Sequence, residues 1–246
     1  LCEKQGYHFS FSKVKKECTP KNFSRYCEDE QASPQIKNTV SVVREMLGSS
    51  LSCQELEKAL LQMSSLSFSG TNIKDLKPIL FLGSHLKYLT LSDTPLSHPR
   101  DLGYFIGIKG LTLTNMKLKD IRFLYHMKEL EELFLGRNEI QNLSVISELE
   151  KLKVLDLTDN QVSSLEGMLA QGQLSNETLE ELILTGNCGL SDVKILDRFL
   201  YIDVVDVSRT NLAESDPVLE RLEADGVKIS FERKCSTQGD KDSESL

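Results

Sequence analysis

A short pattern of apolar residues recurs along the chain about every 22 residues. In "LKVLDLTDNQV", which begins at Leu152, the apolar positions are spaced 3, 2 and 5 apart, which fits neither one face of a helix nor the plain alternation of a strand. A period sustained over many copies predicts an array of stacked structural units. Seven copies begin at Met63, Leu86, Ile108, Leu130, Leu152, Leu179 and Ile202, and their starts are 23, 22, 22, 22, 27 and 23 residues apart. A degenerate eighth copy begins at Ala224.

The apolar pattern of one copy predicts a short strand with a buried side and an exposed side. Leu155 and Leu157 alternate inward, whereas Val154 and Asp156 point outward. One unit cannot bury its apolar side alone, so consecutive units are expected to stack and to pair their strands into one parallel sheet. The segments between strands, such as "IRFLYHMKEL", carry an apolar residue every three or four positions and favour 3-10 turns or brief helices.

Each copy ends at a turn position that often holds asparagine. Asn138, Asn160 and Asn187 occupy it in three copies, where a side-chain amide can bond neighbouring backbone groups. We therefore expect these residues to support the scaffold rather than to catalyse a reaction. Because a methionine offers no amide, this ladder is expected to be weakest at Met116. The remaining copies hold Thr71, Thr94 and Thr210 at this position.

The "LxxLxLxxN" pattern is identified as the signature of the leucine-rich repeat, over about residues 63–232. Its 22-residue length, with short segments between strands, resembles the class found in bacterial internalins and in phosphatase-regulating repeat subunits of eukaryotes. The resemblance implies an α/β solenoid, a right-handed array with a concave parallel sheet of seven or eight strands and 3-10 or short helices on the convex side. It implies little about function, because this class binds many unrelated proteins.

The chain on either side of the repeats predicts caps for the two ends of the array. We expect two helices in the N-terminal cap, the first ended by Gly48 and the second begun by a capping box of Ser52 and Glu55. Five extra residues around "AQGQLSNET" predict a bulge on the convex or descending side. The predicted order begins with a cysteine-containing extension (residues 1–33) and a helical cap (34–62). Seven repeats (63–212), a C-terminal cap of helix and strand (213–235) and a disordered tail (236–246) follow.

Four of the six cysteines lie in the first 53 residues. No CxxC pair occurs, so a structural zinc site lacks its usual spacing. The even total fits disulfides and an oxidising compartment, and the alternative is reduced thiols in a cytosolic protein. The candidates for disulfides, which allow three connectivities, are Cys2, Cys18, Cys27 and Cys53.

The other two cysteines, Cys188 and Cys235, are not expected to pair. By register they lie about two repeats apart, or roughly 10 Å at the usual strand spacing of ~4.8 Å. A disulfide needs Cα atoms within about 7 Å. Cys188 could reach Cys235 only if the chain folded back after Phe231.

Charge and composition exclude several classes of partner and location. The formal net charge of −8 and the pI near 5.2 oppose nucleic acid or an anionic membrane as the main partner. No run of 18 apolar residues occurs, so no membrane-spanning helix is predicted. The opening "LCEKQGYHF" is polar from its third residue, and a mature chain without its signal or a trimmed chain is expected. A lipid-bearing Cys2 is a further alternative, although Leu1 is not the small residue that normally precedes it.

The sequence predicts neither an enzyme nor a cofactor or metal site. It holds no HExxH zinc motif, no GxSxG elbow and no GxxxxGK[ST] phosphate loop. A thiol enzyme built on Cys188 is the alternative, but the register places no histidine beside it. The four histidines are scattered, at His8, His85, His98 and His126.

The outward strand positions predict a binding surface on the concave face. Its first part is small and hydroxylic, whereas later repeats alternate apolar and acidic residues. An apolar patch among carboxylates suits a protein partner with apolar anchors and a basic rim. The alternative is that strand propensity alone placed the Ile and Val residues. The predicted contact residues are Tyr88, Glu132, Phe134, Val154, Asp156, Glu181, Ile183, Val204 and Asp206.

These features predict an exported, non-catalytic scaffold for protein–protein interaction, located outside the cell, in a periplasm or at a cell surface. The alternative is an intracellular regulatory leucine-rich-repeat subunit of a phosphatase or similar enzyme, with reduced cysteines. If the concave face binds, Phe134→Ala and Asp156→Lys are expected to weaken binding and to leave the fold almost unchanged.

Overall fold

Eight short strands pair in chain order to form one parallel sheet. The computed structural model describes residues 22–213, 215–232 and 235. The predicted leucine-rich-repeat solenoid is confirmed, and the degenerate eighth copy contributes the last strand. The strands are β1 (Ser65–Ser67), β2 (Tyr88–Ser92), β3 (Gly110–Thr114), β4 (Glu132–Phe134), β5 (Val154–Asp156), β6 (Glu181–Ile183), β7 (Val204–Asp206) and β8 (Lys228–Ser230).

The inward leucines of neighbouring strands stand opposite one another and form the core. Leu133 pairs with Leu111 on one side and with Leu155 on the other, and all three side chains are fully buried. A second buried row lies two residues further along each strand, as at Leu135 and Leu157. Each such side chain contributes about 1.5–3 kcal/mol by leaving water. The neighbouring repeats provide that burial, so the repeats stabilise one another.

Short 3-10 helices return the chain along the convex side, as the spacing of apolar residues predicted. They bury one or more apolar side chains each, for example Leu102 and Leu196, against the back of the sheet. These segments are Lys77–Leu82, Pro99–Tyr104, Arg122–His126, Ile146–Glu148, Glu166–Met168 and Lys194–Arg198.

The asparagine ladder is present and structural. The amide nitrogen of Asn160 donates to the carbonyl oxygens of Leu157 (3.0 Å) in its own repeat and Leu135 (2.9 Å) in the preceding one, while its oxygen accepts from the backbone N–H of Ile140 (3.0 Å). Asn138 and Asn187 make the same kinds of bonds and are likewise buried. Each side-chain amide thus links two repeats, and it pairs buried backbone N–H and C=O groups that would otherwise lack hydrogen-bond partners.

The ladder is interrupted at Met116, where the side chain packs against the core and has no amide to reach back. Instead the backbone N–H of Met116 donates to the side-chain oxygen of Asn138 in the next repeat (3.0 Å). Toward the preceding repeat, the hydroxyl groups of Ser92 and Thr114 form a hydrogen bond with their oxygens 2.6 Å apart. The side-chain amide of Asn115 donates to the Asp93 carboxylate. Polar contacts at the surface replace the buried amide bonds at this junction.

The residue before the asparagine position turns the chain out of the strand with a left-handed backbone. Gly186 (φ 80°) needs glycine for a further reason, because a Cβ there would lie 2.1 Å from the Asp159 carboxylate. That carboxylate accepts a hydrogen bond at 2.9 Å from the Arg209 guanidinium, which reaches across the intervening repeat. The residues at this position are Gly70, Asp93, Asn115, Arg137, Asp159, Gly186 and Arg209.

Helices cover both ends of the sheet, at α1 (Phe23–Cys27), α2 (Pro34–Leu47), α3 (Cys53–Leu61) and α4 (Pro217–Ala224). The predicted capping box is confirmed: Ser52 and Glu55 each accept the other's backbone N–H. α2 ends at Gly48, and α4 begins where Asp216 accepts the N–H of Val218 (2.9 Å). α1 lies in the segment that the sequence sets apart from the cap, yet it packs against α3 and buries Phe23 completely.

One disulfide ties this N-terminal cap together. Cys27 at the end of α1 is bonded to Cys53 at the start of α3, with Cα atoms 5.7 Å apart. Both belong to the four predicted candidates, whereas Cys2 and Cys18 lie outside the described residues. The guanidinium of Arg44 lies against the two sulfurs (3.1 and 3.5 Å) and donates to the carbonyl of Leu51.

The second disulfide contradicts the sequence-based expectation. Cys188 and Cys235 are bonded, with Cα atoms 5.6 Å apart. The expectation was wrong because it placed Cys235 in a further stacked repeat. The N–H of Arg209 donates to the carbonyl of Glu232 (3.2 Å), so the chain is still stacked at Glu232, but Cys235 lies back over the Arg209 carbonyl. Both sulfurs therefore lie next to the Arg209 carbonyl.

We expect Leu155→Ala to lower the free energy of unfolding by about 2–5 kcal/mol, because the fully buried side chain leaves a cavity between two repeats. Leu174→Ala is the matched control, since Leu174 is 82% exposed and its truncation should change stability by no more than about 0.5 kcal/mol. Urea denaturation followed by circular dichroism measures both. Equal effects of the two substitutions would contradict the assigned register.

We expect the double variant Cys188→Ser, Cys235→Ser to be less stable by up to about 4 kcal/mol, because the bond closes a loop between residues 47 apart. Denaturation under non-reducing conditions measures the loss, and peptide mapping without reductant identifies the linked pairs. A linkage of Cys188 to any cysteine other than Cys235 would refute the assigned pairing.

Candidate protein-binding surface

The sheet register brings all nine predicted contact residues onto one face. The first outward position runs from Tyr88 through Gly110, Glu132, Val154 and Glu181 to Val204. The second outward position adds, in the same order of strands, Phe134, Asp156, Ile183 and Asp206. At a strand spacing of ~4.8 Å, eight strands make a face on the order of 34 Å long. The contact residues therefore form two adjacent columns.

The apolar members of these columns are only partly exposed. Phe134, Val154, Ile183 and Val204 are half-buried because side chains on neighbouring strands pack beside them. Tyr88 differs, since 47% of it is exposed. The face thus offers apolar side chains that alternate with carboxylates from strand to strand, and one prominent aromatic ring.

The acidic members divide into two kinds. Asp156 accepts the backbone N–H of Thr158 (2.7 Å), and Asp206 accepts that of Ser208 (2.9 Å), so both carboxylates fix the turn after their strand. Glu132 and Glu181 form no ion pair with any described residue. The expectation that Asp156→Lys leaves the fold almost unchanged did not consider its bond to Thr158. The unpaired carboxylates are those of Glu132, which is exposed, and Glu181, which is half-buried.

Lysines along the edge where the strands begin are already paired. Lys109 bonds Glu131 (2.7 Å), and Lys153 bonds Glu180 (2.8 Å). The hydrogen bond and charge of Lys109 lower the pKa of Glu131, and the same contact raises the pKa of Lys109. Because these pairs neutralise each other, the negative charge of the face comes from the unpaired glutamates and from the aspartates of the turns.

The first three strands present the small hydroxylic surface that the sequence predicted. These side chains are close enough to bond across strands, as Ser92 and Thr114 do. The patch lies beside Tyr88 and contains Ser65, Ser67, Thr90, Ser92, Thr112 and Thr114.

Gly110 occupies an outward position of this face, but it is not among the contact residues predicted from the sequence. It is the only glycine in the first outward column, and it is buried although it points outward. The ring of Tyr88 covers it: a Cβ on Gly110 would lie 2.6 Å from Cδ1 of that ring. A glycine within a strand often marks such a close approach, and that signal was present in the sequence.

A second group of exposed apolar residues was also missed, at the predicted five-residue insertion and in the segment that follows Lys194–Arg198. Leu174, Leu200 and Tyr201 are 82, 58 and 62% exposed. Arg198 holds the insertion by donating to the Leu174 carbonyl (2.8 Å), and Asn176 forms a short parallel bridge with Phe199. The insertion lies after the convex segment Glu166–Met168, where the chain returns to the sheet at β6, whereas the prediction placed it on the convex or descending side.

The remaining sequence-based hypotheses concern chemistry. Cys188 is bonded to Cys235, so its sulfur is no thiol nucleophile in this structure, which contradicts the thiol-enzyme alternative. Within the described part of the chain, no group of three or more His, Cys, Asp or Glu residues could hold a metal ion. None of the helices of residues 22–213, 215–232 and 235 has the length and apolar character of a membrane span.

Solved structures with the same fold include three internalins of Listeria monocytogenes. InlF superposes with a TM-score of 0.60 at 18% identity, covering 79% of this chain and 54% of its own. Internalin C2 gives 0.53 at 20% identity, covering 72% and 83%. The functional domain of InlJ, described as including a cysteine ladder, gives 0.55 at 17% identity, covering 87% and 44%.

These likenesses show the fold alone, because every identity is 20% or lower. This chain spans about half the length of the InlF structure and less than half of the InlJ structure. No family model and no curated protein sequence matches the chain. The leucine-rich-repeat solenoid of the internalin type is therefore established by structure.

Asp156 accepts a backbone hydrogen bond and Glu181 is unpaired, so the two carboxylates should differ in how much they stabilise the fold. Asp156→Ala should lower the free energy of unfolding by about 1 kcal/mol, because the N–H of Thr158 loses its acceptor. Glu181→Ala, in the neighbouring strand, should change it by less than about 0.5 kcal/mol. Urea denaturation compares the two, and a larger loss for Glu181→Ala would contradict the assigned roles.

Proposed function

We propose that this chain is a non-catalytic scaffold that recognises a protein partner through the concave face from Tyr88 to Asp206. The observation that carries the proposal is a group of outward, half-buried apolar side chains that alternate across the strands with carboxylates, including the unpaired Glu132 and Glu181. Core packing accounts for the inward leucines, but it does not account for an outward Phe134 and Ile183.

The dimensions and chemistry of the face support a protein rather than a small molecule. A face on the order of 34 Å long accommodates an ordinary interface of about 800 Å² per partner. Phe134 and Ile183 offer contacts to apolar anchors, while the unpaired glutamates favour Lys or Arg around those anchors. The partner proposed is thus a protein with apolar anchors and a basic rim.

The two disulfides support an exported protein that acts outside the cell, in a periplasm or at a cell surface. The likeness to internalin structures supports the same view at the level of fold. An intracellular regulatory subunit of a phosphatase would use the same face but would hold its cysteines reduced. The bonded pairs Cys27–Cys53 and Cys188–Cys235 do not favour that alternative.

A photo-cross-linking experiment tests the face directly. The photoreactive residue p-benzoylphenylalanine is placed either at Thr112 on the concave face or at Tyr125, which is 48% exposed in a convex 3-10 segment. Both variants are irradiated with a cell-surface protein fraction, and products are identified by mass spectrometry. The proposal is supported by cross-linked products that form with the Thr112 variant but not with the Tyr125 variant. An excess of the wild-type chain should suppress those products by competition.

For a partner captured in this way, we expect Phe134→Ala to weaken binding at least tenfold, because a central aromatic contact is worth more than about 1.4 kcal/mol. Tyr125→Ala is the matched control and should leave affinity unchanged, since it removes an aromatic side chain from the convex side. Surface plasmon resonance measures both. Equal affinity of the two variants and the wild type would exclude the concave face as the binding site.

A further inference from the structure

Tyr88, Gly110 and Glu132 are neighbours in one column of the concave face. Gly110 pairs with Tyr88 on one side and with Glu132 on the other. Its φ lies outside the left-handed region, so its backbone does not require glycine. What requires glycine is space, because a Cβ there would lie 2.6 Å from the Tyr88 ring and 3.5 Å from the Glu132 carboxylate.

Because Gly110 has no side chain, the Tyr88 ring and the Glu132 carboxylate both lie close to the space that its Cβ would occupy. The ring of Tyr88 covers Gly110 yet remains 47% exposed, and Glu132 is exposed beside it. Thr112 and Phe134 lie beside these residues in the next column. A π surface and an anionic group therefore face solvent within one strand spacing of the same glycine.

The charge of Glu132 is open to a partner because the nearest lysines are occupied. Lys109, next to Gly110 in the chain, is paired with Glu131 at 2.7 Å. The ammonium of Lys87 lies near the backbone carbonyls of Gly107 (3.3 Å) and Ser84 (3.4 Å). No described lysine or arginine forms an ion pair with the carboxylate of Glu132.

We infer that Tyr88, Gly110 and Glu132 form a subsite for an arginine side chain of the protein partner. A guanidinium group is flat and cationic, so it can stack on an aromatic ring and donate two hydrogen bonds to a carboxylate. The inference rests on the proposed protein-binding role of the concave face and assigns one part of that face to one kind of side chain.

Simple packing is the competing explanation, since a ring that covers a strand glycine stabilises the sheet without any ligand. Packing predicts no preference for a guanidinium over a neutral group of the same shape. Glu181 provides an internal comparison, because it is unpaired in the same column but lies between Val154 and Val204 instead of beside a ring. An arginine subsite should therefore distinguish Glu132 from Glu181.

The test is a titration of the isotopically labelled chain followed by NMR of its backbone amides. The probe is N-acetyl-arginine methylamide, and its neutral counterpart is N-acetyl-citrulline methylamide. We expect the arginine probe to shift the amides of Gly110 and Glu132 in a saturable manner and to leave Glu181 unaffected. Binding should weaken at least fivefold in Glu132→Gln and in Tyr88→Ala, and should be retained in Tyr88→Phe and Glu181→Gln.

Three results would overturn the inference. Equal shifts at Glu181 and Gly110 would indicate non-specific attraction to carboxylates, and equal shifts with the citrulline probe would exclude a role for the charge. Unchanged binding in Glu132→Gln would remove the carboxylate from the subsite. Failure here is separate from failure of the proposed function: if Phe134→Ala still abolishes binding of a captured partner, the face binds protein but this subsite does not hold arginine.

Discussion

The burial of each repeat by its two neighbours is the interaction on which the rest of this structure depends. Leu133 is out of water because Leu111 and Leu155 stand on either side of it. The same relation holds along the sheet, so inward positions accept little besides leucine and its near equivalents. Outward positions carry no such requirement, and the concave face can vary in chemistry while the scaffold stays the same.

The sequence predicted the scaffold well because the inward positions are chemically uniform and regularly spaced. Strands, 3-10 segments, the roles of Asn138, Asn160 and Asn187 and the Ser52–Glu55 capping box all follow from local rules. The bond between Cys188 and Cys235 was missed because spacing along a straight stack cannot show that the chain turns back after its last strand.

The candidate site was predicted less completely, because it depends on contacts between side chains about 22 residues apart. Register alone placed all nine outward residues on one face. It could not show that Asp156 accepts a hydrogen bond from its own turn while Glu132 stays unpaired. Nor could it show that the ring of Tyr88 lies over Gly110. The composition of the surface was thus predictable, and the state of its individual charges was not.

The covalent ties at both ends bear on how the array opens. In a stack of repeats the terminal units have one neighbour each, so fraying ordinarily starts there and moves inward. Here Cys27–Cys53 binds the first helix to the third, and Cys188–Cys235 holds the final turn across Arg209. With the ends restrained, opening has to begin at an interior junction. The junction before Met116 lacks the buried amide bonds, but it has the longest strand pairing, with five paired residues between β2 and β3 and three at each other junction. The sheet beneath Tyr88 and Gly110 is therefore held by strand pairing where the asparagine ladder is interrupted.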